Sequence, residues 1–123
     1  GERMRSMFAV TVQKVEKWAQ KKKISKLISK GLQNDNKEIR IATIAALGKC
    51  GDETAMHQLI ALLRDPDADI RAAAAEALGA MANPRSLEFV KQAMNNESDE
   101  KVREKAKLAV NQIREKAVKE EKE

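Results

Sequence analysis

The stretch DPDADIRAAAAEALG, residues 65–79, decides the fold of this 123-residue chain. It contains four consecutive alanines, which acidic residues precede and a Leu-Gly pair follows. Alanine is the strongest helix former, and its small side chain lets a second helix come close. The stretch therefore predicts a helix that is enclosed by neighbouring helices.

Two further stretches repeat this pattern: NDNKEIRIATIAALG from Asn34 and ESDEKVREKAKLAVN from Glu97. The repeats are 31 and then 32 residues apart, a period typical of helical solenoids. Apolar residues recur in each at steps 0, 4, 7, 8 and 11, which places them on one stripe of an α-helix. An N-cap residue stands three places before the first of them: Asn36, Asp67 and Asp99.

A shorter apolar pattern precedes each of these helices. Its residues are Ile24, Leu27, Ile28 and Leu32, then Met56, Leu59, Ile60 and Leu63, then Leu87, Val90 and Met94. Gly48 to Asp52 and Asn83-Pro84 are predicted to form the turns between pairs. The fold class is therefore all-α: an α-solenoid, or α-α superhelix, of three helix pairs.

These pairs resemble HEAT repeats, particularly the short HEAT-like type of phycobilisome bilin lyases. The resemblance is carried by IRIATIAALGKCGDETAMHQLIALLRDPDADIR and IRAAAAEALGAMANPRSLEFVKQAM, and it extends over about residues 22–113. It weakens in the third repeat, where Asn111 replaces the glycine.

The resemblance implies that the second helices line a concave face. It also implies a ladder of hydrogen bonds between repeats, supported by an acid six residues before each arginine. Asp65 with Arg71 and Glu97 with Arg103 fit that pattern, whereas Arg40 follows Asn34. The ladder is therefore expected to fade at the first repeat.

The whole chain is predicted to be a single domain, 1–123. Its parts are an amphipathic N-terminal capping helix (1–20), repeat 1 (21–50), repeat 2 (51–82), repeat 3 (83–115) and a frayed charged tail (116–123). The N-terminal helix is placed by Met4, Met7 or Phe8, Val15 and Trp18 at helical spacing. Pairing with a second copy or partner helix, or lying on a membrane surface, are alternatives to capping. Residues 1–6 are interpreted as the remainder of a cleaved tag.

Few residues offer catalytic or metal chemistry. Cys50 and His57 are the only cysteine and histidine, so neither a disulfide within the chain nor a usual metal-ligand set is available. Cys50 lies on the apolar stripe and is interpreted as a buried hydrophobe. We expect no enzyme activity and no cofactor. Since no apolar run is long enough for a membrane span, a cytoplasmic location is the default.

The candidate partner contacts are Trp18, Ile41, Ile44, Lys22, Lys26 and Lys30. Ile41 and Ile44 lie off the core stripe, where either the N-terminal helix covers them or they bind a partner. The lysines are spaced at i, i+4 and i+8 within a segment, residues 1–31, that has nine basic residues and two glutamates.

These features predict a non-catalytic scaffold that presents a helical surface to another protein, with a homodimer left open. The alternative is a nucleic-acid or anionic-surface binder that uses Lys21, Lys22, Lys23, Lys26 and Lys30. Nucleic acid is less favoured, because aromatic residues, which stack on bases, make up 2% of the chain. A bilin-lyase-like or other enzyme comes third.

Overall fold

The computed structural model describes residues 9–122, which form helices and contain no strand. The helices are α1 (Val12–Gln20), α2 (Ile24–Lys26), α3 (Lys37–Cys50), α4 (Glu53–Leu62), α5 (Ala68–Met81), α6 (Leu87–Asn96) and α7 (Glu100–Lys122). A π-helical turn, Leu27–Gly31, extends α2, and a 3-10 turn, Pro84–Ser86, leads into α6. The all-α prediction is confirmed, and each repeat consists of a first helix (α2, α4 or α6) and a second helix (α3, α5 or α7).

The predicted N-caps start the three second helices. Oδ1 of Asn36 accepts from the Glu38 amide at 2.9 Å, and Oδ1 of Asp67 accepts from the Asp69 amide at 2.8 Å. Oδ1 of Asp99 accepts from the Val102 amide at 3.1 Å. Each oxygen satisfies an amide that has no partner within its helix, which fixes where the helix begins.

The second helices pack against one another in series, α3 on α5 and α5 on α7. A Cβ added to Gly48 would lie 2.9 Å from the Cβ and the carbonyl oxygen of Ala77, and one added to Gly79 would lie 2.9 Å from the Cα of Ala109. These helices therefore approach too closely for any side chain at the two glycines. The turn predicted from Gly48 was wrong, because α3 continues to Cys50 and Gly51 adopts the left-handed conformation that ends it.

The burial of Ile41 and Ile44 bears on the two alternatives left by the sequence, cover by another helix or an exposed patch that binds a partner. Ile44 is 1% exposed, and Ile41 is half-buried against the core. Ile41 lies seven residues, and Ile44 four residues, before Gly48, so all three share one face of α3. Gly48 on this face packs against Ala77 of α5. Both α1 and α5 pack on α3, and Ile44 is not available as a partner contact.

The N-terminal helix is shorter than predicted. It begins at Val12, where the Thr11 hydroxyl accepts from the Lys14 amide at 3.1 Å. Val15 is fully buried, and α1 packs against α3 and the π-helical turn. The predicted contributions of Met4, Met7 and Phe8, and the suggested tag remainder, lie outside the described residues.

The C-terminal tail was expected to continue the last helix before fraying. Residues 116–122 continue α7 as helix up to Lys122. Lys116 lies 3.9 Å from Glu120 one turn later, and Lys119 and Lys122 stand in the last turn, where cations favour the helix dipole.

Gly48→Ala should destabilise the protein by about 1 to 2 kcal/mol, because overpacking against Ala77 outweighs the gain in helix propensity. Ala45, which is exposed on the same helix, provides the control. Ala45→Gly should lower the stability by about 1 kcal/mol, because glycine inside a helix loses more conformational entropy on folding than alanine. We therefore expect alanine to be the more stable residue at position 45 and glycine at position 48. Urea denaturation of both variants measures this. If Gly48→Ala stabilised the protein, the helices would not be held at this distance.

Candidate protein-interaction surfaces

An ion pair joins repeats 2 and 3. Nε of Arg71 donates to both carboxylate oxygens of Glu97, at 3.2 and 3.0 Å, and Nη2 donates to Oε1 at 2.9 Å. The two side chains are only 18% and 8% exposed. These hydrogen bonds to the Glu97 carboxylate raise the pKa of Arg71. The pair is a bidentate, largely desolvated connection between consecutive repeats.

The arginine ladder differs from the one that the family resemblance implied. Nη1 of Arg71 donates to the carbonyl oxygen of Asp65, six residues earlier, at 2.8 Å. Arg40 and Arg103 make the equivalent bonds to the carbonyls of Asn34 and Glu97, at 2.9 and 3.0 Å. Within each repeat the arginine thus binds a backbone carbonyl and not the acidic side chain. Of these three arginines, Arg71 is the one that also binds a carboxylate of the next repeat in the described part of the chain.

A more exposed ion pair joins repeats 1 and 2. Nζ of Lys37 lies 2.9 Å from Oδ2 of Asp67 and 2.7 Å from Oδ2 of Asp69. The hydrogen bond from Lys37 lowers the pKa of Asp67, and the two carboxylates raise the pKa of Lys37. Because all three groups face solvent, this contact is more sensitive to salt than the Arg71 pair.

The lysine surface comprises Lys21, Lys22, Lys23, Lys26 and Lys30. All five are exposed, and none has a carboxylate within 4.0 Å in the described part of the chain. They do not form the helical row that the spacing predicted. Lys22 lies before α2 in a left-handed turn, with φ of 54°, and Lys30 lies in the π-helical turn. The lysines are therefore a cluster around the α1–α2 junction.

Trp18 lies beside this cluster. Its side chain is half-buried against the core, and Nζ of Lys26 is 6.0 Å from the ring centroid, at the outer limit of a cation–π contact. The structure thus brings Trp18, Lys22, Lys26 and Lys30 to one end of the array. Of the other predicted contacts, Ile44 is buried and Ile41 is half-buried against the core.

Cys50 and His57 each contact a different group. Sγ of Cys50 lies 3.2 Å from the carbonyl oxygen of Ala46, and partial burial raises the pKa of the thiol. His57 is exposed, with Nε2 3.8 Å from Glu53. The described residues contain no cluster of three or more metal-ligating side chains. No helix among residues 9–122 has the length and hydropathy needed to span a membrane.

The sequence analysis did not single out Phe89, one of four large apolar residues that are exposed in the described part of the chain. A groove of about 720 Å³ runs between α4 and α6, and Phe89 lines it while remaining 50% exposed. The exposure of Phe89 could have been predicted by aligning the first helices of the three repeats. Equivalent positions in this alignment are Leu27, Leu59 and Val90, which are each fully buried. The residues that precede these three are Lys26, Gln58 and Phe89, so an aromatic stands where the other repeats have a polar side chain.

Stacked antiparallel helix pairs with a continuous core define the class of this protein as an α-solenoid. A family model described as HEAT repeats matches residues 24–111, and the chain belongs to this family. It is also 33% identical over 96 residues to the bilin biosynthesis protein MpeU of Synechococcus sp. (strain WH8020). The match covers 77% of this chain and 32% of that protein, so the chain spans about a third of the relative's length.

Arg71→Gln should cost roughly 1 to 3 kcal/mol of stability, because it leaves the Glu97 carboxylate largely buried without its partner. Arg103→Gln is the matched control, since Arg103 makes the same carbonyl bonds but has no carboxylate from a following repeat. Its cost should be smaller. Chemical denaturation measures the free energy of unfolding of both variants. An equal loss of stability in the two would contradict a dominant role for the ion pair.

Proposed function

We propose that this protein is a non-catalytic scaffold that binds an acidic region of another protein through its lysine surface. The observation that carries the proposal is five exposed lysines that have no carboxylate within 4.0 Å among residues 9–122, at the same end of the array as half-exposed Trp18. A concentrated positive potential attracts acidic partners and raises their association rate. Trp18 supplies an apolar anchor next to the charges.

The packing of the array supports rigid display of this surface. The helix α1 is held by the fully buried Val15, and α3, on which it packs, is in turn held by α5. Neither element needs to reorganise before binding, so less conformational entropy is lost. HEAT repeats as a family support a scaffold role.

Protein is favoured over membrane and nucleic acid for physical reasons. A membrane-surface helix inserts its apolar face, but Val15 of α1 is already buried in the core. Binding of single-stranded nucleic acid relies on several aromatic platforms, and Trp18 is the single aromatic residue in the described part of this end. Lysines are point charges that pair with carboxylates as well as with phosphates.

Replacing all five residues of the lysine surface by glutamine should weaken binding of poly-L-glutamate by roughly tenfold at low salt. The matched control changes the same number of lysines at the other end: Lys101, Lys107, Lys116, Lys119 and Lys122. Fluorescence anisotropy with labelled poly-L-glutamate measures both variants. Equal weakening by the two variants would indicate a general charge effect and contradict the proposal.

The same titration with random-sequence duplex DNA tests the nucleic-acid alternative. DNA should bind no tighter than poly-L-glutamate of equal charge at any salt concentration. Tighter DNA binding, with an affinity that falls steeply with salt and depends on the same lysines, would replace the proposed protein partner by nucleic acid.

A role in bilin biosynthesis is a second candidate, favoured by the name of the relative. Its direct test is the absorbance spectrum of a linear tetrapyrrole mixed with the protein. For a scaffold without this role we expect an unchanged spectrum and no pigment retained after denaturing electrophoresis. A shifted spectrum would establish bilin binding, and transfer of bilin to an acceptor protein would establish enzyme activity.

A further inference from the structure

The groove between α4 and α6 arises because the two first helices separate while the second helices stay close. Along α4 its wall is formed by His57 and Ile60, and along α6 by Phe89, Gln92 and Asn96. Arg64, in the turn that follows α4, also lines the groove. Its volume of about 720 Å³ is comparable to sites that accommodate peptide side chains or small molecules.

Phe89 is exposed by its register and not by a packing defect. The next residue, Val90, is fully buried and occupies the core position that Leu59 has in repeat 2. Phe89 therefore points away from the core beside an intact stripe. It also stands across the groove from Ile60, which is half-buried. These two are the largest partly exposed apolar side chains of the groove, whose lining also includes Ala61, Leu63, Pro66 and Ala93.

The charges of the groove lie at one end. Arg71 and Glu97 neutralise each other at its base, and the Asp65 carboxylate accepts from the Asp67 amide at 2.9 Å. Two arginines and two acidic residues line the groove, so their formal charges sum to zero. Of these four charged residues, Arg64 is the exposed one. Among residues 9–122 it has no carboxylate within 4.0 Å.

We propose that this groove binds a short amphipathic helix of another protein. The helix places an aliphatic or aromatic side chain between Ile60 and Phe89, and a carboxylate about one turn away pairs with Arg64. Gln92 and Asn96 offer amide groups at the rim for polar side chains of the same helix. This surface is separate from the lysine surface, so the two proposals can fail independently.

A phage-displayed library of 16-residue helical peptides, selected on the immobilised full chain, tests the groove. We expect enriched peptides to share an apolar residue and an acidic residue one turn apart. Phe89→Gln, which introduces the residue type found at the equivalent position of repeat 2, should weaken their binding at least about tenfold. Arg64→Gln should weaken it by roughly threefold to tenfold, and less at high salt.

Leu108→Gln is the matched control, since Leu108 is 53% exposed on α7 and lies outside the groove. It should leave binding unchanged. Circular dichroism confirms that each variant folds, as expected for exposed positions. Binding that is insensitive to Phe89→Gln, or equally sensitive to Leu108→Gln, overturns the proposal. So does light scattering that shows a dimer dissociated by Phe89→Gln, because a second copy would then occupy the groove.

Binding of the selected peptides to the five-lysine variant separates this inference from the proposed function. Retained peptide binding together with lost poly-L-glutamate binding supports two independent surfaces. Loss of peptide binding in the five-lysine variant would place the peptides on the lysine surface and overturn the groove assignment.

Discussion

The structure depends on the distance between successive second helices. Gly48 faces Ala77, and Gly79 faces Ala109, so closely that neither glycine has room for a Cβ. The small residues between them, including Ala74 and Ala75, are fully buried in the same layer. Dispersion forces act only over such short separations, which makes this layer the rigid centre of the array. Every surface that the protein presents is positioned relative to it.

Close approach of the second helices determines where the polar connections form. Arg71 reaches Glu97 because the loop before α7 is brought beside the start of α5. The pair is largely desolvated, and the remaining Nη1 group is satisfied by the carbonyls of Asp65 and Pro66. A buried charge without such partners would be costly, so these hydrogen bonds are what allows an arginine at this depth. The pair also restrains the angle between repeats 2 and 3.

The same arrangement places two chemically different surfaces apart. The first helices are not drawn together by small residues, and the groove with Phe89 opens between α4 and α6. The lysine surface lies at the other end, where α1 packs on α3. One surface is mainly electrostatic and the other mainly apolar. A scaffold with both properties can bind two ligands at once, since neither surface contributes residues to the other.

The sequence by itself determined the helical class, the repeat period and the helix starts at Asn36, Asp67 and Asp99. These follow from local preferences: apolar spacing, capping side chains and alanine content act within one helix. The family could be recognised for the same reason. The charge of the lysine surface was also readable, because formal charge does not depend on folding.

Only the tertiary structure decided which neighbour each helix face meets. Ile44 lies off the stripe of its own repeat, yet it is only 1% exposed once the helices pack together. Gly48 resembled a turn residue, and its role as a contact point became visible only with Ala77 beside it. Arg71 and Glu97 are 26 residues apart, and Phe89 and Ile60 belong to different repeats. Such contacts depend on the angle between repeats, which is the sum of many packing interactions and has no local signal in the sequence.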